Sequence, residues 1–286
     1  MKKKSNSFYP YIGCHISIAG GIEKAPQRAA EIGAEIMQIF SRSPQGGKKR
    51  EINSEIANKF KRNVIKYNIR DTYIHSPYYI NFASSNNRIR YGSLKTIQEE
   101  LAIANSLKIK YVITHLGSTK DLGEKKGIKK TIEMLQKTLK NYKGKAQLLL
   151  ENTAGSGSII GDRFSELNYI LEKVNHSALG GICLDTQHSF ASGYNWKDWK
   201  KTLSKIKQEV ELNKIKVIHA NDSLSDCGSH IDRHAHIGEG KIGKKAFQNI
   251  VRFAHKQKIN MILETRYDKI KQDIELLKKM RSHLKK

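Results

Sequence analysis

Apolar and polar positions along the chain follow two alternating periods. Short apolar or β-branched runs at 11–17, 36–40, 72–76, 111–115, 147–152, 180–186, 215–221 and 260–265 predict strands. Between them, apolar residues recur every three or four positions, the spacing of one helix face. Leu94, Ile97, Leu101 and Ala104 make one such stripe, and Phe164, Leu167, Leu171 and Val174 another. A third runs through Trp196, Trp199, Leu203, Ile206 and Val210, which places both tryptophans in the core and not on a base-stacking platform. Eight strands alternating with eight helices, with no linker, internal repeat or composition break, predict a single (β/α)8 TIM barrel over residues 11–286 after a basic tail at 1–10.

Composition narrows the partners. Lys and Arg total 52 against 27 Asp and Glu in 286 residues, a formal charge of +25. Such an excess favours a polyanion, nucleic acid or an anionic membrane surface, although the accompanying abundance of Ile and Asn fits a codon bias that enriches Lys. No apolar run approaches the roughly 18–20 residues that span a bilayer. The opening MKKKSNS lacks the apolar stretch of a secretory signal. Cys14, Cys183 and Cys227 form no CxxC pair and read as reduced thiols of an intracellular protein.

In a barrel, the loops at the carboxyl ends of the strands carry the chemistry. Strand three ends in His75, strand four in His115, strand five in Glu151, strand six in Asp185 with His188, strand seven in His219 and strand eight in Glu264. The loop after strand seven, within VIHANDSLSDCGSHIDRHAHIGEG, adds Asp232 and His234, which in extended backbone point to one side while Arg233 points to the other. Any one of these has a structural explanation as a hydrogen-bonded strand-end residue. Barrel closure, however, gathers all six strand ends around one axis, and five His, two Asp and two Glu together read as a metal centre. Catalytic zinc commonly takes three protein ligands, so nine could hold three ions. Three Zn²⁺ against four carboxylates leave a site charge of about +2, suited to a phosphodiester more than to a neutral sugar. A nitrogen and oxygen donor set suits zinc, with manganese or iron as substitutes. His15 reads as a supporting or DNA-facing residue and His236 as a structural or supporting one. His176 suits a helix C-terminus, and His230, His255 and His283 the surface.

The same residues carry a family resemblance. GCHISIAGG (13–21), LLLENTAGSG (148–157), GICLDTQHSFASGY (181–194) and HANDS…GSHIDRHAHIGEGKIG (219–243) resemble, in order and spacing, signatures of the endonuclease IV family of apurinic/apyrimidinic (AP) endonucleases. The resemblance implies a barrel with three zinc ions. One would be held by His75, His115 and Glu151, a second by Glu151, Asp185, His219 and Glu264, and a third by His188, Asp232 and His234. It also implies hydrolysis of the phosphodiester 5′ to an abasic site, leaving a 3′-hydroxyl and a 5′-deoxyribose phosphate, together with trimming of blocked 3′ ends. Glu151 and Glu264 would orient the nucleophile as well as bind metal. The partner is double-stranded DNA with abasic sites or blocked 3′ ends, met by a monomer in a bacterial cytoplasm, a nucleus or a virus-associated compartment.

DNA recognition departs from the family pattern. Tyr78 in HSPYYINFASS matches a DNA-contacting tyrosine, but Tyr79 stands where an aliphatic wedge is common. The loop at 41–50, SRSPQGGKKR, differs from the usual FTKNQRQW-like form and leaves Gln45 and Arg50 as candidates for the gap beside a missing base. Gln187 replaces a small residue or cysteine, and Leu224 a lysine. The competing readings are a metal-dependent sugar isomerase or epimerase, which would hold fewer ions, and a catalytically silent DNA-binding barrel, which would show substituted ligands. A UV-damage endonuclease fits the ENTAG and DRH segments less well.

Overall fold

In the computed structural model, which describes residues 8–46 and 51–285, seven of the predicted strands form β1 (Ile12–His15), β2 (Ile36–Phe40), β3 (Thr72–His75), β4 (Tyr111–Thr114), β5 (Gln147–Glu151), β6 (Leu179–Asp185) and β7 (Ile215–His219). Two short strands absent from the sequence reading follow, β8 (Asp222–Ser223) and β9 (His234–Ala235), and then the eighth barrel strand, β10 (Asn260–Leu263). The eight long strands pair in parallel and close in the order β1-β10-β7-β6-β5-β4-β3-β2. Around them lie α1 (Ala25–Glu31), α2 (Ser54–Lys66), α3 (Asn87–Leu107), α4 (Glu124–Leu139), α5 (Phe164–Val174), α6 (Thr186–Ala191), α7 (Trp199–Glu209), α8 (Lys244–Gln257) and α9 (Ile270–Ser282). This is the (β/α)8 TIM barrel.

Two local expectations need correction. Thr186 does not end the sixth strand. It starts α6, an additional helix, because the Asp185 side chain turns back to accept the His188 backbone N–H at 2.8 Å as an N-cap. Trp196 is buried, as its apolar stripe requires, yet it precedes α7; its indole N–H donates to Thr186 O and Ser189 Oγ, both at 3.0 Å, which fixes it beneath α6 instead.

Strand periodicity decides where the chemistry stands. Successive side chains alternate between the barrel axis and the helices. Ile36, Tyr73, Tyr111, Ile113, Leu149, Cys183, Val217 and Ile262 form a separate buried cluster along the axis, whereas their strand neighbours Ile74, Val112, Leu148, Leu150, Ile182, Leu184 and Ile218 pack outward against the helices. Two residues beyond each axial residue lies the next axial position. Counting up from Tyr73, Ile113, Leu149, Cys183, Val217 and Ile262 reaches His75, His115, Glu151, Asp185, His219 and Glu264. The barrel thus plugs its interior with an apolar layer and places one ionisable layer directly above it.

Close strand approach depends on two glycines. A Cβ on Gly13 would lie 1.7 Å from the Ile36 carbonyl oxygen of β2. Gly181, at φ +141°, would put one 2.1 Å from Lys214 O, beside the places where the β5–β6 and β6–β7 registers each shift.

Candidate metal centre

Glu151 is the hub of the ionisable layer. Its Oε2 lies 2.9 Å from His75 Nε2 and 3.5 Å from His115 Nε2. Its Oε1 lies 2.9 Å from His219 Nδ1 and 3.4 Å from His188 Nδ1. One carboxylate therefore faces two donor sets, one oxygen to each. On the second side, His219 Nδ1 also stands 3.3 Å from Glu264 Oε2 and 4.0 Å from Asp185 Oδ2. Asp232 spans the remaining two imidazoles, with Oδ2 3.3 Å from His188 Nε2 and Oδ1 3.4 Å from His234 Nε2. All nine residues picked out in the sequence stand together at the barrel mouth. Donor atoms of His75, His115 and Glu151 lie within 4.8 Å of one another, as do those of Glu151, Asp185, His219 and Glu264, and those of Asp185, His188 and His234. Asp185 thus borders two of the groups.

Whether these donors suit a metal is decided by their unmet needs. Nitrogen and carboxylate donors in clusters of three or four match zinc chemistry. His234 Nε2 is buried beside Asp232 with no hydrogen-bond partner among the described residues, an arrangement that a cation between them would satisfy. Two outer ring nitrogens are occupied, while His115 Nδ1 finds no hydrogen-bond partner among the described residues. His75 Nδ1 meets Ser76 O at 2.7 Å and His188 Nδ1 meets Asn152 O at 2.9 Å, so each donates there and leaves Nε2 free to accept. The residues fit a metal.

Electrostatics agrees with that fit. Burial pushes His115 down to about 4 despite the Glu151 carboxylate, which keeps it neutral at pH 7. Burial alone would raise the acids, but His188 and His234 hold Asp232 at about 2, and His219, with weaker help from His75 and His234, holds Glu264 at about 2. Burial would lower His188 and His219, yet both sit well above the ordinary imidazole range. Asp185, Asp232 and Glu151 outweigh it at His188; the Cys183 sulfur with Glu264 and Glu151 does so at His219.

Several supporting residues carried no sequence signal beyond their polarity. Asn152 joins β5 to β6, accepting from Asp185 N at 2.7 Å and donating to Asp185 O at 3.1 Å. Asn221 donates to Asp185 Oδ2 at 2.6 Å and accepts from Glu264 N at 2.8 Å. The loop carrying Asp232 and His234 is returned over the barrel by the antiparallel β8–β9 pair. It is held by Asp222, wholly buried, whose carboxylate accepts from Ser223, Gly238, Ile242 and Gly243 backbone N–H groups. Asp222→Ala leaves those donors unsatisfied and is expected to cost about 3 kcal/mol, read as a lowered urea midpoint at unchanged slope. His236 Nδ1 donates to Asp273 Oδ2 at 2.7 Å, and Asp273 also accepts from Thr265 Oγ1 at 2.6 Å, tying the loop to the end of β10. Gln187, one of the family departures, is buried and donates to Ile231 O at 3.0 Å, next to Asp232. Leu224 has an exposed side chain, and its backbone N–H donates to Arg233 O at 3.0 Å, between Asp232 and His234.

A cleft of about 430 Å³ opens over the layer, with Tyr78, Tyr79, His115, His188, Asp232 and Ile159 in its wall. Tyr78 is 63% exposed and packs edge-on against Phe40 and His75, at centroid distances of 5.3 and 6.1 Å. Its partial burial and the carboxylates Glu264 and Glu151 push its hydroxyl up to about 12, so it remains a donor at any physiological pH. The backbone N–H of Tyr78 donates to Pro44 O at 3.0 Å, which sets exposed Gln45 beside the same rim. Arg50 lies outside the described residues. Of the other histidines, His15 joins the metal-centre network, whereas His230 and His283 are exposed and His255 stacks on Tyr9.

Comparison with known proteins places this geometry. A family model described as the xylose isomerase-like TIM barrel matches residues 26–286. A probable endonuclease 4 of Cenarchaeum symbiosum is 37% identical over 95% of this chain and 98% of its own length. One of Halothermothrix orenii is 38% identical over 94% and 99%. The crystal structure of endonuclease IV from Thermus thermophilus superposes with a TM-score of 0.83 at 29% identity, covering 96% of this chain and 99% of that one. A D-tagatose 3-epimerase-like protein superposes at 0.75 with 18% identity over 96% and 98%, a likeness of fold alone.

Proposed function

Because the chain belongs to the endonuclease 4 family within the xylose isomerase-like TIM barrels, we propose that it is a zinc-dependent AP endonuclease of base excision repair. It hydrolyses the phosphodiester 5′ to an abasic site, leaving a 3′-hydroxyl and a 5′-deoxyribose phosphate, and trims blocked 3′ ends. The observation that carries this reading is the two-faced placement of Glu151, with His75 and His115 at one oxygen and His219 at the other, beside Asp185 and Glu264. His75, His115 and Glu151 form one site; Glu151, Asp185, His219 and Glu264 a second; His188, Asp232 and His234 a third. Zinc held there supplies Lewis acidity at phosphate oxygen and lowers the pKa of water from about 15.7 towards 7.

The protein's own residues do the rest. Glu151 and Glu264, both held ionised by neighbouring imidazoles, orient the nucleophile. Tyr78 lines the rim where DNA enters, with exposed Gln45 next to the Pro44 that Tyr78 bonds, and the formal charge of +25 draws in phosphates, which makes binding sensitive to salt. An abasic nucleotide has lost its base stacking, so turning it into the cleft costs less than extruding a paired base.

Metal content tests this assignment. Zinc-loaded protein is expected to hold three ions per chain by elemental analysis, and Asp232→Ala to hold two. A single ion per chain would favour the sugar-epimerase reading. Proton release gives a second test. His188 and His219 are protonated in the metal-free centre at pH 7, because their pKa values are raised, and only the neutral ring can bind metal. Zinc uptake is therefore expected to release protons, and affinity to rise with pH through neutrality. Calorimetric titration in buffers of different ionisation enthalpy reads that number directly; no proton release would contradict the assignment of these two histidines.

A further inference from the structure

One inward position of the ionisable layer is filled by neither His nor a carboxylate. Gln38, the central residue of β2, is fully buried and stands two residues beyond the axial Ile36. Its Nε2 lies 2.6 Å from Glu264 Oε1 and 3.1 Å from His15 Nδ1; its Oε1 lies 2.8 Å from His219 Nε2. The carboxylate decides which way the amide faces. An ionised Glu264 only accepts hydrogen bonds, so the NH₂ end must point to it, and the carbonyl end then points to His219. A carbonyl oxygen also only accepts, so His219 Nε2 must carry the proton. His15 Nδ1 takes the second amide hydrogen and is an acceptor.

This leaves His219 one nitrogen for a metal, Nδ1, and that nitrogen faces Glu151 at 2.9 Å, Glu264 at 3.3 Å and Asp185 at 4.0 Å. Glu264 is sorted in the same way. Gln38 holds Oε1, and Oε2 is the oxygen beside His219. We propose that Gln38 is a positioning residue for the second metal site, a single amide that fixes both the tautomer of His219 and the free oxygen of Glu264. The proposal rests on the reading of His219 and Glu264 as ligands of that site.

Partners that orient metal-binding histidines typically change metal affinity 10–100-fold when removed. In Gln38→Met, which keeps the volume and loses all three hydrogen bonds, one of the three zinc ions is expected to leave to a chelator about 10–100-fold faster than in wild type. The other two should leave at the wild-type rate. Incision should show a fall in kcat with KM for DNA little changed. His219→Ala identifies the ion concerned, because the same one should be lost. If His219→Ala loses an ion while Gln38→Met releases all three at the wild-type rates, the proposal is wrong and the ligand assignment stands. If His219→Ala keeps the full zinc complement, the assignment itself fails and the proposal with it. A variant that does not fold leaves a measurement on the wild type. In the zinc-loaded protein, the ¹⁵N spectrum of His219 should show a protonated Nε2 and an unprotonated Nδ1. A proton on Nδ1 would overturn the proposal.

Discussion

Glu151→Gln is expected to lower the rate of incision at an abasic site by about 10⁴-fold or more, the largest loss from any single isosteric change in this centre. Both oxygens of Glu151 are committed, one to His75 and His115 and the other to His219 and His188. An amide keeps the size but offers only one accepting atom and no charge. It also leaves His188 and His219 without a carboxylate that helps to hold their raised pKa values. Two metal sites should weaken together, where His115→Ala should weaken one. Zinc content measured beside single-turnover incision separates the two cases. Wild-type activity in Glu151→Gln with three zinc ions bound would remove Glu151 from the chemistry.

Arg42→Met should have the largest effect away from the metal ligands. Glu100 on α3 is completely buried, and its carboxylate accepts from Ser41 Oγ and Arg42 Nε, both at 2.6 Å, while Arg42 Nη1 reaches Glu99 at 2.8 Å. Removing the arginine strands a buried acid whose burial already raises its pKa against the pull of Ser41 and Arg42. Breaking such a pair typically costs about 3–5 kcal/mol. The effect should reach DNA binding as well, because Ser41 and Arg42 begin the loop whose Pro44 carbonyl holds Tyr78. A lowered unfolding midpoint together with a weakened DNA Kd is the expected result. Unchanged stability would show that water or another side chain compensates Glu100.

The barrel and the ring of ionisable residues at its mouth were legible because both follow from a period of two. Tyr73 to His75 and Val217 to His219 repeat one step, and the alternation of apolar and ionisable residues on each strand is visible without any knowledge of neighbours. The remaining features depend on contacts that no local pattern encodes. Gln38 finds its partners 23, 181 and 226 residues away, and in the run IMQIF it reads only as an interruption. Asp222 could be seen as a polar residue of a glycine-rich loop, but its four backbone donors come from 1 to 21 residues downstream. The β8–β9 pair is two residues long on each side, too short for any periodicity to reveal. The additional helix α6 was masked by the apolar run of β6; its signal was the Asp185 to His188 spacing of a helix cap, which the ligand pattern had already claimed. Tyr78 lines the cleft, and residues 47–50 of the 41–50 loop, with the candidate Arg50, lie outside the described residues.

The central claim is hydrolysis 5′ to an abasic site. It is tested most directly by incubating the zinc-loaded protein with a DNA duplex bearing one abasic analogue that cannot undergo β-elimination, and identifying the ends produced. A single incision leaving a 3′-hydroxyl and a 5′-phosphate on the analogue, lost in Glu151→Gln, is the predicted result. An intact duplex, with three zinc ions bound and the barrel folded, would contradict it.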